Sequence, residues 1–348
     1  MKKSFLALAA LSCFAASASA QSSVTLFGVV DASLSYGSGD VSNKTQLANS
    51  NNTSSRFGVT GTEDLGGGLK AAFRLEGAVN NDNGSGGTTN TNNQASGGTG
   101  GGGFTFGRRS TLSLLGGFGE LRVGREYTPQ YWNQFLYEPF GNNGVGSSRS
   151  AGWVNGAAGV AGGVRASNSI SYLSPTFSGF DVWVMVYLGE NASNAAAQVG
   201  DGGGVKLSYN QGPFSVSGAY SSTITGVGTD NQTSTLGASY DLRVAKLFAL
   251  VTKEAYTGIG DMNGYSLGAS MPMGSGTIRA SFSGNERSSA RTNQFAIGYQ
   301  HDLSKRTALY GTFATVSNSG GASAALNGAV TSVNGSSNGF DLGVKHSF

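Results

Sequence analysis

Residues 61–76 read GTEDLGGGLKAAFRLE, and this stretch decides the fold. Three consecutive glycines at positions 66–68 predict a tight turn. After them polar and apolar positions alternate, one face being formed by Leu69, Ala71, Phe73 and Leu75 and the other by Lys70, Ala72, Arg74 and Glu76. A period of two is typical of a β-strand, because successive side chains point to opposite sides. The stretch therefore predicts a turn followed by a strand with one apolar face.

The same alternation recurs along the chain in about sixteen segments. The predicted strands begin at Val24, Ser54, Leu69, Phe104, Glu120, Ser167, Asp181, Gly204, Phe214, Thr233, Val244, Tyr265, Gly276, Arg291, Thr307 and Asn338. Short connections, such as residues 116–119 and 272–275, alternate with long ones, such as residues 80–103 and 126–166. Short turns at one end and long loops at the other are the plan of a membrane barrel. The predicted fold is therefore all-β, a 16-stranded antiparallel transmembrane β-barrel.

Composition supports this fold class. The chain has 348 residues, of which 57 are glycine, while charged residues make up 12% and hydrophobic residues 38%. So much glycine and so little hydrophobicity oppose an ordinary helical or α/β enzyme. The 10% of aromatic residues opposes a disordered chain. The chain contains no apolar run long enough for a transmembrane helix, so any membrane crossing must use strands.

The first twenty residues form a segment of their own. A positively charged start and an apolar stretch, residues 5–16, precede the small-residue motif Ala18-Ser19-Ala20. This order is typical of a secretory signal peptide, residues 1–20, whose removal leaves residues 21–348 as one barrel domain. A short membrane anchor is the alternative. Removal also takes away Cys13, the only cysteine, so we expect neither a disulfide nor a thiol site.

The remaining motifs argue against an enzyme. The two histidines, His301 in a predicted turn and His346 near the C-terminus, are too few for nucleophilic or zinc chemistry. Residues 98–103 match the string G-x-G-x-x-G, but they lead into a strand and lack the helix that a nucleotide site needs. We therefore expect no catalytic residue, no metal and no cofactor. A formal net charge of +3 gives no reason to expect nucleic-acid binding.

Basic residues fall on the polar faces of several predicted strands. Strand parity turns inward the side chains of Arg56, Lys70, Arg74, Arg109 and Arg122, and Arg165 joins them just before the sixth strand. The same parity turns Arg108 outward. Two interpretations remain open: scattered solvated charges balanced by Glu76 and Glu120, or a positive stripe along an aqueous channel that favours anions. The guanidinium group is well suited to a positive stripe in a channel, because it stays charged and its planar set of N–H donors can bind both oxygens of a carboxylate or phosphate.

The segment after the fifth strand is unusually aromatic for a loop. Tyr131, Trp132 and Phe135 lie between two prolines, and the segment carries Glu126 and Glu138. An aromatic loop is expected to be packed rather than exposed to water. We therefore predict that this third loop folds into the barrel, with the three aromatic residues as anchors on the wall and both glutamates in the channel. An external loop that contacts another subunit or the envelope surface is the alternative.

Several stretches, spread over the chain, carry a family resemblance. They are SSVTLFGVVD at residues 22–31, SRFG at 55–58, GTEDLGGGLKA at 61–71, GELRVGREYT at 119–128, NSISY at 168–172, LSKRT at 303–307 and GVKHSF at 343–348. In these stretches the sequence resembles the Gram-negative trimeric general porins of the β-proteobacterial type, which are 16-stranded outer-membrane porins. The match through residues 61–71 is specific, whereas the loops match only in being long.

The resemblance implies passive diffusion of small hydrophilic solutes and ions through a water-filled channel that the third loop constricts. It also implies a homotrimer in the outer membrane, in contact with lipid and lipopolysaccharide, and an assembly signal at the aromatic C-terminal residue, Phe348. Carried over by position, Arg56 corresponds to the family's wall arginine, with Arg109 and Arg122 as its partners. Glu138 is then the constriction acid. Because the third loop has fewer acids than family members usually have, weak anion selectivity is expected.

The predicted function is thus a weakly anion-selective outer-membrane porin. A structural or adhesive barrel with a plugged lumen is the alternative from another class. An outer-membrane enzyme is a third, which the scarcity of histidine and of clustered acids disfavours. Current through the purified protein in a planar bilayer separates the first two.

Overall fold

The computed structural model describes residues 23–99, 103–151, 163–258 and 260–348, so the predicted signal peptide lies outside the described residues. Within the described part, sixteen long strands pair in antiparallel order into one sheet. They are β1 (Ser23–Gly39), β2 (Arg56–Gly66), β3 (Leu69–Asn80), β4 (Arg109–Gly116), β5 (Gly119–Tyr127), β6 (Arg165–Leu173), β7 (Phe180–Tyr187), β8 (Gly202–Gln211), β9 (Phe214–Gly226), β10 (Thr229–Asp241), β11 (Lys246–Tyr256), β12 (Met262–Met273), β13 (Gly276–Arg287), β14 (Ala290–Asp302), β15 (Thr307–Ser319) and β16 (Ser336–Ser347).

Smaller elements lie in the connections between these strands. They are the short strands Lys44–Asn49, Ser85–Gly86, Thr89–Asn90 and Gly98–Thr99, the helix α1 (Pro129–Leu136), and the 3₁₀ turns Ala95–Gly97 and Ser148–Ala151. In the described ranges of the chain, no helix combines the length and the apolar character that a membrane span requires.

The sheet closes between the first and the last strand. β1 pairs with β16 over the register from Val29–Ser347 to Gly39–Ser337, and its N-terminal half pairs with β2. The backbone N–H of Gly28 donates to the carbonyl of Phe348 at 3.0 Å, and the N–H of Phe348 donates to Gly28 at 3.1 Å. Closure removes the free edges of the sheet, whose polar groups lipid could not satisfy.

The two faces of this wall have opposite polarity. On β10 the hydroxyl side chains of Thr233 and Thr235 are each 5% exposed and point inward, whereas Leu236 is 55% exposed on the outer face. On β1 Ser33 is buried and Leu34 is exposed. An apolar outer face and a polar inner face reverse the pattern of a soluble protein. This arrangement fits a barrel that sits in lipid and encloses water.

Thirteen of the sixteen strands begin within two residues of the predicted start. β3, β9, β13 and β15 start at the predicted residues, but the fourth strand starts at Arg109 instead of Phe104. Residues 104–108 alternate in the sequence, yet they lie over β3 rather than in the ladder. Phe104 covers Gly77, where a Cβ atom would lie 2.4 Å from its ring, and it packs edge-on against Phe57 with ring centroids 5.9 Å apart. Aromatic packing therefore takes the place of strand pairing in this segment.

After β5 the chain folds into the barrel. Thr128 is extended and accepts the first helical hydrogen bond, from Trp132 N–H at 3.0 Å. Pro129 occupies the first turn of α1. Backbone N–H groups in the first turn have no acceptor within the helix, so a proline there costs no hydrogen bond. α1 packs against the inner faces of β8, β9 and β10. The predicted in-folded third loop is therefore present, and it contains a short helix that the sequence analysis did not predict.

Candidate functional site

A cavity of about 460 Å³ lies between one part of the barrel wall and the third loop. We call it the constriction cavity. Its lining includes Arg56, Arg74, Glu76, Arg108 and Arg109 from the wall, Trp132, Phe135, Glu138 and Pro139 from the loop, and Ser270, Thr277 and Arg279 from β12 and β13. The lumen is thus narrowed where arginine side chains face the loop.

Glu76 on β3 organises three of these arginines. Its carboxylate is 2% exposed and accepts from Arg108 Nε at 2.6 Å and from Arg74 at 2.7 Å, while Arg56 Nε lies 3.9 Å away. Arg56 also donates to the carbonyl of Ser54 at 3.1 Å. One buried acid therefore holds three guanidinium groups side by side, and the group carries a net positive charge.

The position predicted for Arg108 is wrong. Strand parity turned its side chain outward, but the structure brings its guanidinium inside to Glu76 and to the hydroxyl of Tyr127, 2.7 Å away. Arg108 precedes β4, so the alternation of that strand does not constrain it. The inward side chain adds a positive charge to the constriction cavity.

A second cluster forms around Glu126 on β5. Its carboxylate, 2% exposed, pairs with Arg109 and with Arg122, whose Nη1 atom lies 2.7 Å away. Arg122 also donates to Glu120 through Nε at 2.8 Å. The structure thus brings together Arg109, Arg122 and Glu126, which the sequence analysis had placed in the channel.

Two predicted basic residues differ in their surroundings. Arg165 lies over the ring of Tyr127, with its guanidinium carbon 4.4 Å from the ring centroid, and donates to that hydroxyl at 2.8 Å. Lys70, in contrast, is exposed near the turn before β3, opposite Asp64 in the ladder, and does not line the constriction cavity. We call Arg56, Arg74, Arg108, Arg109, Arg122 and Arg165 the arginine wall; its partners are Glu76, Glu120 and Glu126.

The third loop is held by amide side chains that the sequence analysis did not single out. Asn133 is fully buried and donates to Thr235 Oγ1 at 2.9 Å and to the carbonyl of Ser217 at 3.1 Å. Gln130 accepts from the Ser221 hydroxyl. The partners belong to a set of inward hydroxyl residues on β9 to β13 that we call the hydroxyl wall: Ser217, Ser221, Thr233, Thr235, Thr252, Ser266, Ser281 and Ser283.

The three predicted aromatic anchors divide into two kinds. Tyr131 is buried and stacks on Tyr127 with ring centroids 5.4 Å apart, and Trp132 packs partly against the same cluster. Phe135 stacks on Trp132 at 5.3 Å but is 37% exposed and lines the constriction cavity. Further along, Tyr137 is buried against Gly237, where a Cβ atom would lie 2.2 Å from its ring. The wall accepts this ring because it has a glycine at that point.

Glu138 lines the constriction cavity with little of its carboxylate exposed. It is 3% exposed and accepts from the backbone N–H groups of Asn142 at 2.8 Å and Ser148 at 3.2 Å. Burial raises the pKa of Glu138 to about 7. The Glu138 carboxylate therefore stabilises the conformation of the third loop. With this pKa, its charge changes with pH near neutrality.

The seam between the first and last strands holds two loops in place. The Asp31 carboxylate on β1 accepts from Asn52 N–H at 2.8 Å and Thr53 N–H at 2.6 Å. The Asp341 carboxylate on β16 accepts from Val145 N–H, in the third loop, at 2.8 Å. Both carboxylates are fully buried. The first and third loops are thus tied to the strands that close the barrel.

Further cationic residues of the lumen were missed, among them Arg279 and Lys206. Arg279 on β13 lines the constriction cavity together with Ser270 and Thr277. Lys206 on β8 lies 3.9 Å from Asp181 and lines a second cavity of about 410 Å³, which shares Arg109 and Trp132 with the first. The sequence signal was available, because each residue occupies the polar face of an alternating strand, as Arg74 does.

An apolar outer face, a closed antiparallel wall and a lumen narrowed by a charged loop define a channel of the bacterial outer membrane. The chain belongs to the Gram-negative porin family, whose sequence profile matches residues 7–322. It is 38% identical to outer membrane porin protein 32 of Delftia acidovorans, over 100% of both chains. It is 28% identical to an outer membrane porin protein of Bordetella pertussis, over 89% of this chain and 93% of that one.

Solved structures agree with this assignment. The fold is similar to that of an anion-selective porin from Comamonas acidovorans, with a TM-score of 0.82, 36% identity, and coverage of 94% of this chain and 100% of that chain. OmpT of Vibrio cholerae in its trimer form is similar in fold, with a TM-score of 0.65, 13% identity, and coverage of 94% and 99%. The protein is therefore an outer-membrane porin, a channel and not an enzyme.

Proposed function

We propose that this porin conducts small hydrophilic solutes and ions with a weak preference for anions, and that the arginine wall facing the third loop sets this preference. The observation that carries the proposal is the excess of arginine in the wall: six guanidinium groups stand against the carboxylates of Glu76, Glu120 and Glu126. Fixed charges of one sign along a pore concentrate the counter-ion. The relative from Comamonas acidovorans is described as anion-selective.

The preference is weak for two reasons. Each of the three glutamates pairs with at least one arginine, which reduces the net field in the lumen. Water in the pore adds further screening, with a Debye length of about 8 Å at physiological salt. The anion preference therefore decreases as the salt concentration rises.

The assembly around this channel is also part of the proposal. We infer a homotrimer, because OmpT of Vibrio cholerae, which shares this fold, occurs in a trimer form. The exposed apolar side chains of the outer wall then contact either lipid and lipopolysaccharide or a neighbouring subunit. Phe348, packed over Gly28 at the seam, serves as the assembly signal, and residues 1–20 direct export and are removed.

Charge reversal tests the selectivity. We expect the double variant Arg56→Glu, Arg109→Glu to reverse the sign of the zero-current potential in a gradient of dilute KCl, because positive charge in the constriction becomes negative. The matched control, Arg243→Glu with Lys305→Glu, makes the same change in exposed turns and should keep the wild-type sign. A potassium preference in the wild type would contradict the proposal, as would an unchanged sign in the first variant when its trimer on a gel is intact.

The plugged structural barrel predicts a different result. If the third loop sealed the lumen, purified trimers would insert in a bilayer without steps of current. The constriction cavity and the family assignment both favour an open channel.

A further inference from the structure

The helix α1 has its polar and apolar faces reversed. Its amide side chains, Gln130, Asn133 and Gln134, are buried against the hydroxyl wall. Phe135 and Leu136 on the other side are 37% and 39% exposed. A helix on a protein surface normally buries its apolar face and leaves polar groups in water. Here the apolar face points into the lumen. Because the lumen contains water, exposing a polar face there would cost less free energy.

Phe135 extends an aromatic series that runs from the wall into the lumen. Its ring stacks on Trp132 with centroids 5.3 Å apart and planes 25° from parallel. Trp132 in turn lies 5.6 Å from Tyr127, which carries the hydroxyl bound by Arg108 and Arg165. The series therefore fixes the plane of Phe135 and leaves one side of its ring open to solutes.

The same cavity presents both an apolar surface and a positive surface. Phe135 and Trp132 line it from the loop, and Arg56, Arg74 and Arg109 line it from the wall. Its volume of about 460 Å³ falls within the range of small-molecule sites, roughly 300–1,000 Å³. The side chains of Arg56, Arg74 and Arg109 remain 26%, 32% and 18% exposed, so a solute in the cavity can reach them.

We propose that this porin favours, among anions, those that carry a carboxylate on an aromatic ring, with the ring stacked on Phe135 and Trp132 and the carboxylate on the arginine wall. This inference rests on the proposed anion selectivity and adds a substrate class to it. Aromatic stacking adds a modest free energy to apolar contact, and guanidinium pairs with carboxylate as a fork. Both interactions are weak enough in a wet pore for the solute to leave again.

Two potassium salts provide the first test. We measure the zero-current potential of wild-type channels with potassium benzoate on one side and potassium acetate on the other, and correct the permeability ratio for the mobilities of the ions in free solution. The corrected ratio of benzoate to acetate should be about threefold or more, as aromatic stacking energies suggest. A corrected ratio of one overturns the inference.

Substitutions on α1 provide the second test. Phe135→Ala should bring the corrected ratio towards one, and Phe135→Leu, which keeps an apolar side chain without a ring, should lower it as well. Leu136→Ala is the matched control, because Leu136 is equally exposed on the same helix but does not line the constriction cavity. It should leave the ratio unchanged. An unchanged ratio in Phe135→Ala, or an equal loss in Leu136→Ala, overturns the assignment.

A chloride measurement in the same membranes separates this inference from the proposed function. Wild-type channels that prefer potassium to chloride contradict both. Channels that prefer chloride but show no benzoate enrichment contradict only the aromatic site. Benzylammonium, which has the ring but a positive charge, should show no enrichment; enrichment equal to that of benzoate would assign the effect to the ring alone and overturn the role of the arginine wall.

Discussion

The two halves of the barrel interior use different side chains for different purposes. In the arginine wall, each guanidinium lies beside a carboxylate or a tyrosine hydroxyl, as Arg74 does beside Glu76, and four of the six line the constriction cavity. In the hydroxyl wall, Ser217 and Thr235 use their polar groups to bind Asn133 of the third loop. Charge thus lies where the lumen is open, and small hydroxyl groups lie where the loop must pack closely.

This difference shows how one loop can make a wide barrel selective. A hydroxyl residue bonds an amide without the cost of burying a charge. The same loop position against arginine side chains would require charge to be desolvated. The hydroxyl wall therefore sets the position of the loop, and the arginine wall sets which solutes pass it.

Removing the loop has the largest expected effect on this arrangement. Deletion of residues 131–141 takes away most of α1 and the residues facing the arginine wall, so conductance should rise severalfold while anion preference falls. Single-channel recording measures both. Deletion of residues 192–197, in the exposed connection between β7 and β8, is the control and should change neither. A deletion variant with wild-type conductance would show that the loop does not narrow the pore.

Loosening the loop should have a smaller effect. Asn133→Ala removes the buried amide and leaves the Thr235 hydroxyl without that donor, at a cost of about 1–3 kcal/mol. We expect noisier open-channel current and a rise in conductance smaller than that of the deletion. Ser281→Ala is the control, because the Ser281 hydroxyl is buried and has no hydrogen-bond partner among the described residues. Equal noise in the two variants would argue against anchoring by Asn133.

A new acid on the β12–β13 side of the cavity, where Arg279 already lies, sharpens the comparison further. Ser270 lines the constriction cavity from β12. Ser270→Glu should lower the chloride preference without reversing its sign, since one charge is added against an excess of arginine. The shift should shrink at high salt, because the lumen is wet. Ser270→Gln controls for side-chain size, and a shift as large in this variant would contradict the electrostatic explanation.

A change of pH should have the smallest effect on the chloride preference. Burial raises the pKa of Glu138 to about 7, above the ordinary value of about 4.3, so the folded state binds the proton more tightly than the unfolded chain does. The contribution of protonated Glu138 to the stability of the folded state is complete below about pH 4 and is lost as the pH rises through about 7. Between about pH 5.5 and pH 8.5, the added negative charge should slightly reduce the chloride preference.

Glu138→Gln isolates this titration. The variant keeps an acceptor for the N–H groups of Asn142 and Ser148 but carries no charge at any pH. Its zero-current potential should therefore change less between the two pH values than that of the wild type. An identical pH dependence in both proteins would assign the effect to other groups.

The sequence predicts the wall better than the loop, for a physical reason. A strand between lipid and water must alternate, so β3 and β9 could be placed from their pattern alone. The inward turn of Arg74 and Arg109 follows from the same parity. Arg108 lies just outside its strand, and no local pattern constrains the direction of its side chain.

The third loop obeys contacts that are distant in sequence. α1 has only eight residues, so its helical period does not stand out in the sequence. Its polar face is the buried one, so the usual rule that a helix buries its apolar face predicts the wrong face. Asn133 finds its partners on β9 and β10, about a hundred residues later. Which residues hold the loop therefore became clear only in the folded barrel.

The contacts at the seam between β1 and β16 determine when the loops of this pore can be fully fixed during folding. Asp31 belongs to the first strand and accepts backbone N–H groups of the first loop, whereas Asp341 belongs to the last strand and accepts a backbone N–H of the in-folded third loop. The Asp341 contact with Val145 cannot form before the C-terminal strand has been synthesised and paired with β1. Closing the barrel therefore also completes the contacts that hold its narrowest part, and a chain shortened at its C-terminus loses the Asp341 contact together with barrel closure.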